Sequence, residues 1–241
     1  MFAPAAAGEK AEGTRMYTTV IFDLDGTLLN TLDDLADAGN RLCAALSWPT
    51  HPVQGYRYLV GNGIPKLIER LAPPEQHSPA VLADALARFE ADYGAHLRDK
   101  TAPYPGVPEM LARCQAAGVR LAVFSNKADA LAQQIVTDYF GPGLFALIRG
   151  QRPGVPVKPA PEGTRAVLAA LGADPARTLY VGDSNVDVQT ARNAGLPCCG
   201  VLWGFRTREE LQAEGAQYLA ADAAELEQII LRGPEADAGA V

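Results

Sequence analysis

No run in this chain approaches the roughly 18 consecutive apolar residues that a membrane-spanning helix requires, so no membrane span is expected. Basic residues are in deficit: 21 Lys and Arg face 28 Asp and Glu, a net charge of −7. The clustered basic face that marks a nucleic-acid binder is missing. Much of the acidic surplus is local, because eight acids oppose three bases from Phe205 to Val241, which reads as a solvated tail. Cysteine is scarce. Cys43, Cys114, Cys198 and Cys199 show neither CxxC spacing nor histidine partners, which excludes a zinc-site pattern. The Cys198-Cys199 pair, in an apolar stretch, reads as two small buried hydrophobes. The three histidines, His51, His77 and His96, all fall between residues 31 and 102 and read as surface or packing residues. The first ten residues lack an early basic group and Pro4 breaks their short apolar run. They therefore read as a flexible extension, not a secretion signal, and reduced thiols then fit a cytoplasmic location.

What remains is an ordinary globular composition, 48% hydrophobic and 20% charged. Its 241 residues suit one large domain, or a core with a smaller appended unit. The organising stretch is Val20-Ile21-Phe22-Asp23-Leu24-Asp25-Gly26-Thr27. The apolar run reads as a buried strand, and alternate residues on a strand share a face, so Asp23 and Asp25 point the same way. Two acids at the end of a buried strand are costly unless a cation or proton shares the space. Helical spacing then dominates over 31–48, 60–71 and 78–97, with prolines at 49, 52, 73, 74 and 79 marking the breaks. This is a helical module of residues 31–102 inserted straight after the acidic strand. From Pro103 onward strands and helices alternate: strands over 119–124, 144–148, 178–181 and 198–202, with helices between and after them to 231. Such units predict an α/β fold with a parallel sheet covered by helices on both faces, whose ligand sits beyond the C-terminal strand ends.

The residues at those strand ends carry the chemistry. Ser125-Asn126-Lys127 follows the second strand and reads as the opening of a helix, where a hydroxyl and free amides suit an anion. Lys158, held extended by Pro159, precedes a helix. Gly182-Asp183-Ser184-Asn185-Val186-Asp187 puts two acids one helical turn apart. Three carboxylates near one point call for a hard cation such as Mg²⁺, while hydroxyl, helix terminus and lysine call for a phosphate. Together they specify phosphoryl transfer.

These four segments, in this order, resemble the motifs of the haloacid dehalogenase (HAD) superfamily, and within it the phosphoglycolate phosphatases. The resemblance runs from about Tyr17 to Leu231. It implies a Rossmann-like core (17–30 and 103–232) carrying a helical cap (31–102), between an N-terminal extension (1–16) and a tail (233–241). It also implies Asp23 as nucleophile and Asp25 as general acid and base. Mg²⁺ would be held by Asp23, the Asp25 backbone carbonyl and Asp183, with Asp187 supporting the metal directly or through water. Ser125, Asn126 and Lys158 would hold the phosphate.

The cap is expected to choose the substrate. Gly61-Asn62-Gly63, within Leu59–Gly63, resembles the Val-Gly-x-Gly turn of phosphoglycolate phosphatase caps, and Arg57, Lys66 and Arg206 are candidate partners for a substrate carboxylate. It is not a dinucleotide fingerprint, since a helix and not a strand precedes it. The expected partner is a small phosphorylated metabolite, 2-phosphoglycolate first, in a monomer or dimer. Sugar phosphates, nucleotides and pyrophosphate stay open, as does a phosphomutase resembling β-phosphoglucomutase. Asp25 argues against a dehalogenase, whose first motif lacks the second acid. A catalytically silent binding protein is disfavoured because every catalytic position is filled.

Overall fold

The computed structural model describes residues 16–234, so the expectations for residues 1–15 and for most of the tail lie outside the described residues. Six parallel strands form one sheet in the order β5-β4-β1-β6-β7-β8. They are β1 (Thr19–Phe22), β4 (Arg120–Ala128), β5 (Leu147–Gln151), β6 (Thr178–Gly182), β7 (Cys198–Val201) and β8 (Tyr218–Ala220). Every residue of β1 and β6 is buried, as befits central strands of a sheet covered on both faces. The helices of the core are α5 (Val107–Ala116), α6 (Asp129–Phe140), α7 (Pro161–Leu171), α8 (Asn185–Ala194), α9 (Arg208–Glu214) and α10 (Ala223–Arg232), the last following the final strand. Because β1 lies between β4 and β6, the chain leaves it in both directions across the sheet. The crevice at its C-terminal end is a topological switch point, where such sheets bind ligands.

The inserted segment holds four α-helices: α1 (Leu32–Ala45), α2 (Tyr56–Leu59), α3 (Ile64–Leu71) and α4 (Pro79–Ala95). Its two connections to the core pair as a short antiparallel ribbon, β2 (Leu29–Asn30) with β3 (Ala102–Pro103). Asp34, buried in the first turn of α1, clamps the returning chain by accepting from the Lys100 and Thr101 amides and the Thr101 hydroxyl at 2.7–3.1 Å. A buried carboxylate needs that many donors to offset its lost hydration.

The structure adds strands that the sequence pattern does not predict, β8 (Tyr218–Ala220) and the β2–β3 ribbon, and departs from it elsewhere as well. The expected strand at 144–148 lies three residues later, at Leu147–Gln151. The apolar signal came from Phe145, which packs edge-on against Phe140 at 5.7 Å, whereas Arg149 and Gln151 pair in the sheet without contributing apolar periodicity. The second strand runs to Ala128 through an irregularity after Phe124. Ser125-Asn126-Lys127 therefore sits in the strand, and the helix opens only at Asp129. The helix expected over 60–71 is broken, since Val60 is extended and α3 begins at Ile64.

Candidate active site

Asp23 follows the last residue of β1, and its Oδ1 lies 2.8 Å from the Lys158 ammonium. Asp25 is two residues on, and its Oδ1 lies 2.9 Å from the Lys127 ammonium. The two acids that one strand delivers together thus have separate buried lysines, Lys127 near the end of β4 and Lys158 in the loop before α7. Gly26, between Asp25 and Thr27, has φ +84°, and a Cβ there would overlap the Asp183 carboxylate. Only glycine accepts both the conformation and the approach.

Asp183 ends the β6 turn, and its carboxylate accepts from the Thr27 hydroxyl at 3.1 Å and the Phe205 amide at 2.7 Å. A Cβ on Gly204 would overlap the Asp183 Cβ, so two glycines clasp this acid. Asp187 lies in the first turn of α8. Its Oδ2 accepts from the Ser184 amide and hydroxyl at 3.1 and 2.7 Å, and its Oδ1 accepts from Lys158 at 2.8 Å. With both oxygens taken, Asp187 aims Lys158 toward Asp23.

Carboxylate oxygens of Asp23, Asp183 and Asp187 lie within 4.8 Å of one another. Burial raises Asp23 to about 7; Lys158 pulls it down while Asp187 and Asp25 push it up. Burial likewise raises Asp183 to about 8, helped by Asp187 and Asp23 and opposed by the Phe205 amide and Thr27 hydroxyl. Burial pulls the Lys158 ammonium down, but Asp187 and Asp23 outweigh it and hold it well above the usual lysine range. Four carboxylates (23, 25, 183, 187) against two ammonium groups (127, 158) leave two formal negative charges. That is the charge of one divalent cation, and an all-oxygen donor set suits a hard one. The residues fit such an ion.

A raised carboxylate keeps its proton in the folded chain after the unfolded chain has released it. Its stabilising contribution is present at low pH and lost as pH rises through about 7 for Asp23 and 8 for Asp183. We therefore expect the melting temperature in a chelator to fall by several degrees between pH 6 and pH 8.5, on the scale of about 2–4 °C per kcal/mol. Millimolar Mg²⁺ should restore it mainly at the upper end, and Asp183→Asn should flatten the slope. A Mg²⁺ effect equal at both pH values would count against this charge balance.

The second motif is split in its duties. Ser125 lines the cavity next to Asp23, and its hydroxyl accepts from the Lys127 amide at 3.3 Å. Asn126 also borders the cavity, yet its side chain is a strut. Its Nδ2 donates to the backbone carbonyls of Gly61 and Lys158 at 3.0 and 3.2 Å, and its Oδ1 accepts from the Lys158 amide at 2.8 Å. It joins β4, the lysine loop and the cap in one knot. Gly61 and Gly63 reach the cavity wall, whereas the Asn62 side chain is engaged by Arg70 at 2.8 Å. Lys66 pairs with Glu69 at 2.7 Å on the exposed face of α3.

Apart from Asp23, Asp25, Ser125, Asn126, Lys127, Asp183 and Ser184, the side chains of the wall are apolar, Leu35, Val60, Ile64, Leu67 and Phe205, with Arg206 as a further cation. Arg206 donates to the Arg57 carbonyl and lies over the Tyr58 ring at 4.7 Å. Arg57, Arg70 and Arg206 have no carboxylate partner among the described residues, and the Arg57 Nε is buried without a hydrogen bond. Residues not assigned roles from the sequence are Tyr93, Lys127, Thr27, Ser184 and the Phe205 amide. Tyr93 carried no distinct signal, since it continues the apolar stripe Ala85, Phe89, Tyr93 of α4.

A family model for haloacid dehalogenase-like hydrolases matches residues 20–201. The chain is 36% identical over 197 residues to a phosphoglycolate phosphatase of Mesorhizobium japonicum, covering 81% of this chain and 87% of the relative. It is 37% identical over 200 residues to one of Caulobacter vibrioides, covering 82% and 84%. Among solved structures, CbbY of Rhodobacter sphaeroides in complex with phosphate superposes with a TM-score of 0.74 at 28% identity, covering 88% of this chain and 96% of that one. The described residues contain no helix long and apolar enough to cross a membrane. The chain belongs to the haloacid dehalogenase-like hydrolases, and within them to the phosphatases that resemble phosphoglycolate phosphatase.

Proposed function

We propose that the protein is a Mg²⁺-dependent phosphatase that hydrolyses a small, carboxylate-bearing phosphate monoester, 2-phosphoglycolate above others, through an aspartyl-phosphate on Asp23. The observation that carries this reading is the separation of the two acids of the first motif. Asp23 lies in the acidic cluster against Lys158, while Asp25 stands off it against Lys127. One is placed to attack and the other to move protons, which splits a difficult displacement into two steps. An ion held by Asp23, the Asp25 carbonyl and Asp183 would offset the repulsion between a carboxylate and a phosphate dianion. Lys158 and Ser125 would bind the phosphoryl oxygens, and Asp187 holds Lys158 in place.

In the first step a new bond joins an Asp23 oxygen to phosphorus as the ester P–O bond breaks, and Asp25 gives its proton to the departing alkoxide. In the second, water attacks phosphorus while Asp25 takes its proton and the Asp23–phosphorus bond breaks. The apolar wall offers few partners to a polyol, and its one added cation, Arg206, suits a single small anionic group. The relatives' names point to the same ester. Phosphate release from 2-phosphoglycolate, in Mg²⁺ and in chelator, tests the reading; preferential isomerisation of glucose 1-phosphate would overturn it.

Arg206 gives the substrate choice its own test. A charge-assisted hydrogen bond contributes about 1.5–3 kcal/mol, so Arg206→Met should lower kcat/KM for 2-phosphoglycolate by about 10- to 100-fold. Ethyl phosphate, which lacks the carboxylate, should be hydrolysed almost as before. An equal fall for both esters would remove Arg206 from carboxylate recognition.

A further inference from the structure

Lys127 is only 3% exposed and Tyr93 is fully buried, yet the Lys127 ammonium faces both the Tyr93 hydroxyl and Asp25. The Lys127 ammonium donates to Asp25 Oδ1 at 2.9 Å and to the Tyr93 hydroxyl at 2.6 Å, and lies 4.6 Å from the centre of the Tyr93 ring. Tyr93 belongs to α4 of the cap, and Lys127 to β4 of the core. Burying an ammonium is a poor device for stability, because an apolar side chain of similar volume commonly does as well. A lysine in this place asks for another reason.

We propose that Lys127 and Tyr93 form a positioning pair across the cap–core seam, which fixes the carboxylate of Asp25 for proton transfer while the cap lies against the core. This deepens the phosphatase reading and rests on it. The ammonium occupies Oδ1, so Oδ2 is the oxygen left to deliver a proton to the leaving alkoxide and to collect one from water. The tyrosine oxygen accepts from the same ammonium and limits where it can sit. Its own O–H is kept, since burial raises the phenol to about 12, with Lys127 opposing. Moving α4 away from the core would take that oxygen with it. Lys127 would lose one of its two partners, and Asp25 its fixed orientation. The acid and base would thus be assembled by the closure that surrounds the substrate.

The test separates loss of proton transfer from loss of fold. kcat/KM reports steps only through departure of the leaving group. An alkoxide needs the proton from Asp25, whereas p-nitrophenolate departs without it. Positioned general acids contribute about 10²- to 10⁴-fold. Tyr93→Phe, which deletes one oxygen and keeps the ring, should lower kcat/KM for ethyl phosphate by about 10-fold and that for p-nitrophenyl phosphate by less than about 3-fold. Lys127→Met should widen the gap to about 100-fold if it folds; Tyr93→Phe carries the test if it does not. Equal losses for the two esters would mean that the pair merely docks the cap, and no loss would mean that Asp25 needs no such support. Either overturns the proposal while leaving the phosphatase reading intact. That reading is checked separately by Asp23→Asn, and activity retained there would overturn both.

Discussion

Asp23→Asn should lower phosphate release by about 10⁴-fold or more, the scale seen when a covalent nucleophile is removed, without lowering stability in the absence of metal. The two effects diverge because the position is costly to the fold. Burial raises the Asp23 carboxyl to about 7, and Asp187 and Asp25 push in the same direction. Ionising it near pH 8 therefore opposes folding, and an amide of the same shape removes that cost. The amide oxygen can still face the Lys158 ammonium, which keeps its 2.8 Å partner Asp187. Steady-state phosphate release and melting curves in chelator at pH 8 check both halves. The melting temperature should hold or rise, as expected where catalysis has been placed against stability. Substantial turnover in a homogeneous preparation of the Asp23→Asn variant would remove Asp23 as nucleophile.

How much of this was legible in the sequence depends on the range over which each signal acts. The β1 strand, the carboxylates after it and the acids at 183 and 187 were readable because an uninterrupted apolar run next to charge is a local pattern. Lys158 was readable in the company of the other motifs, and the structure puts its ammonium 2.8 Å from both Asp23 and Asp187. Asn126 was readable as a site residue, but its binding of the Gly61 and Lys158 carbonyls was not. That contact joins residues 65 and 32 positions away, and nothing local in an Asn announces it.

The same limit hid Tyr93 and the extent of β4. A buried tyrosine on an apolar stripe is indistinguishable from core until the fold shows what its hydroxyl meets. The motif Ser125-Asn126-Lys127 suggested a helix start because a serine before a helix is a common cap. Pairing with β5, which resumes at Ala128 opposite Gln151, keeps the chain extended for three more residues. That extension carries Lys127 to Asp25; a helix opening at residue 126 would have turned its side chain elsewhere.

Lys158→Met should be the most destabilising single change at the site. Lys158 is 1% exposed and its ammonium faces Asp23 and Asp187, with the rings of Phe124 and Tyr180 at 6.0 and 5.9 Å. Removing one partner of a buried ion pair costs about 3–5 kcal/mol, because the other charge is left uncompensated. For a chain of this size that lowers the melting temperature by about 10 °C. The sign of its pH dependence follows from the acids. Without the ammonium that pulls it down, Asp23 binds its proton more tightly in the folded state, so the variant loses most stability as pH rises through neutrality and least near pH 5. Activity should fall by about 10³-fold, since the variant also loses the cation proposed to bind the transferring phosphoryl group. Lys158→Arg should not restore it, because a planar fork replaces a compact ammonium in a slot walled by two rings and two carboxylates. A Lys158→Met variant that melts at the wild-type temperature at both pH 5 and pH 8 would show that the acidic cluster does not depend on this lysine. Asp187, whose other hydrogen bonds all come from Ser184, would then need a different role from the one its partners indicate.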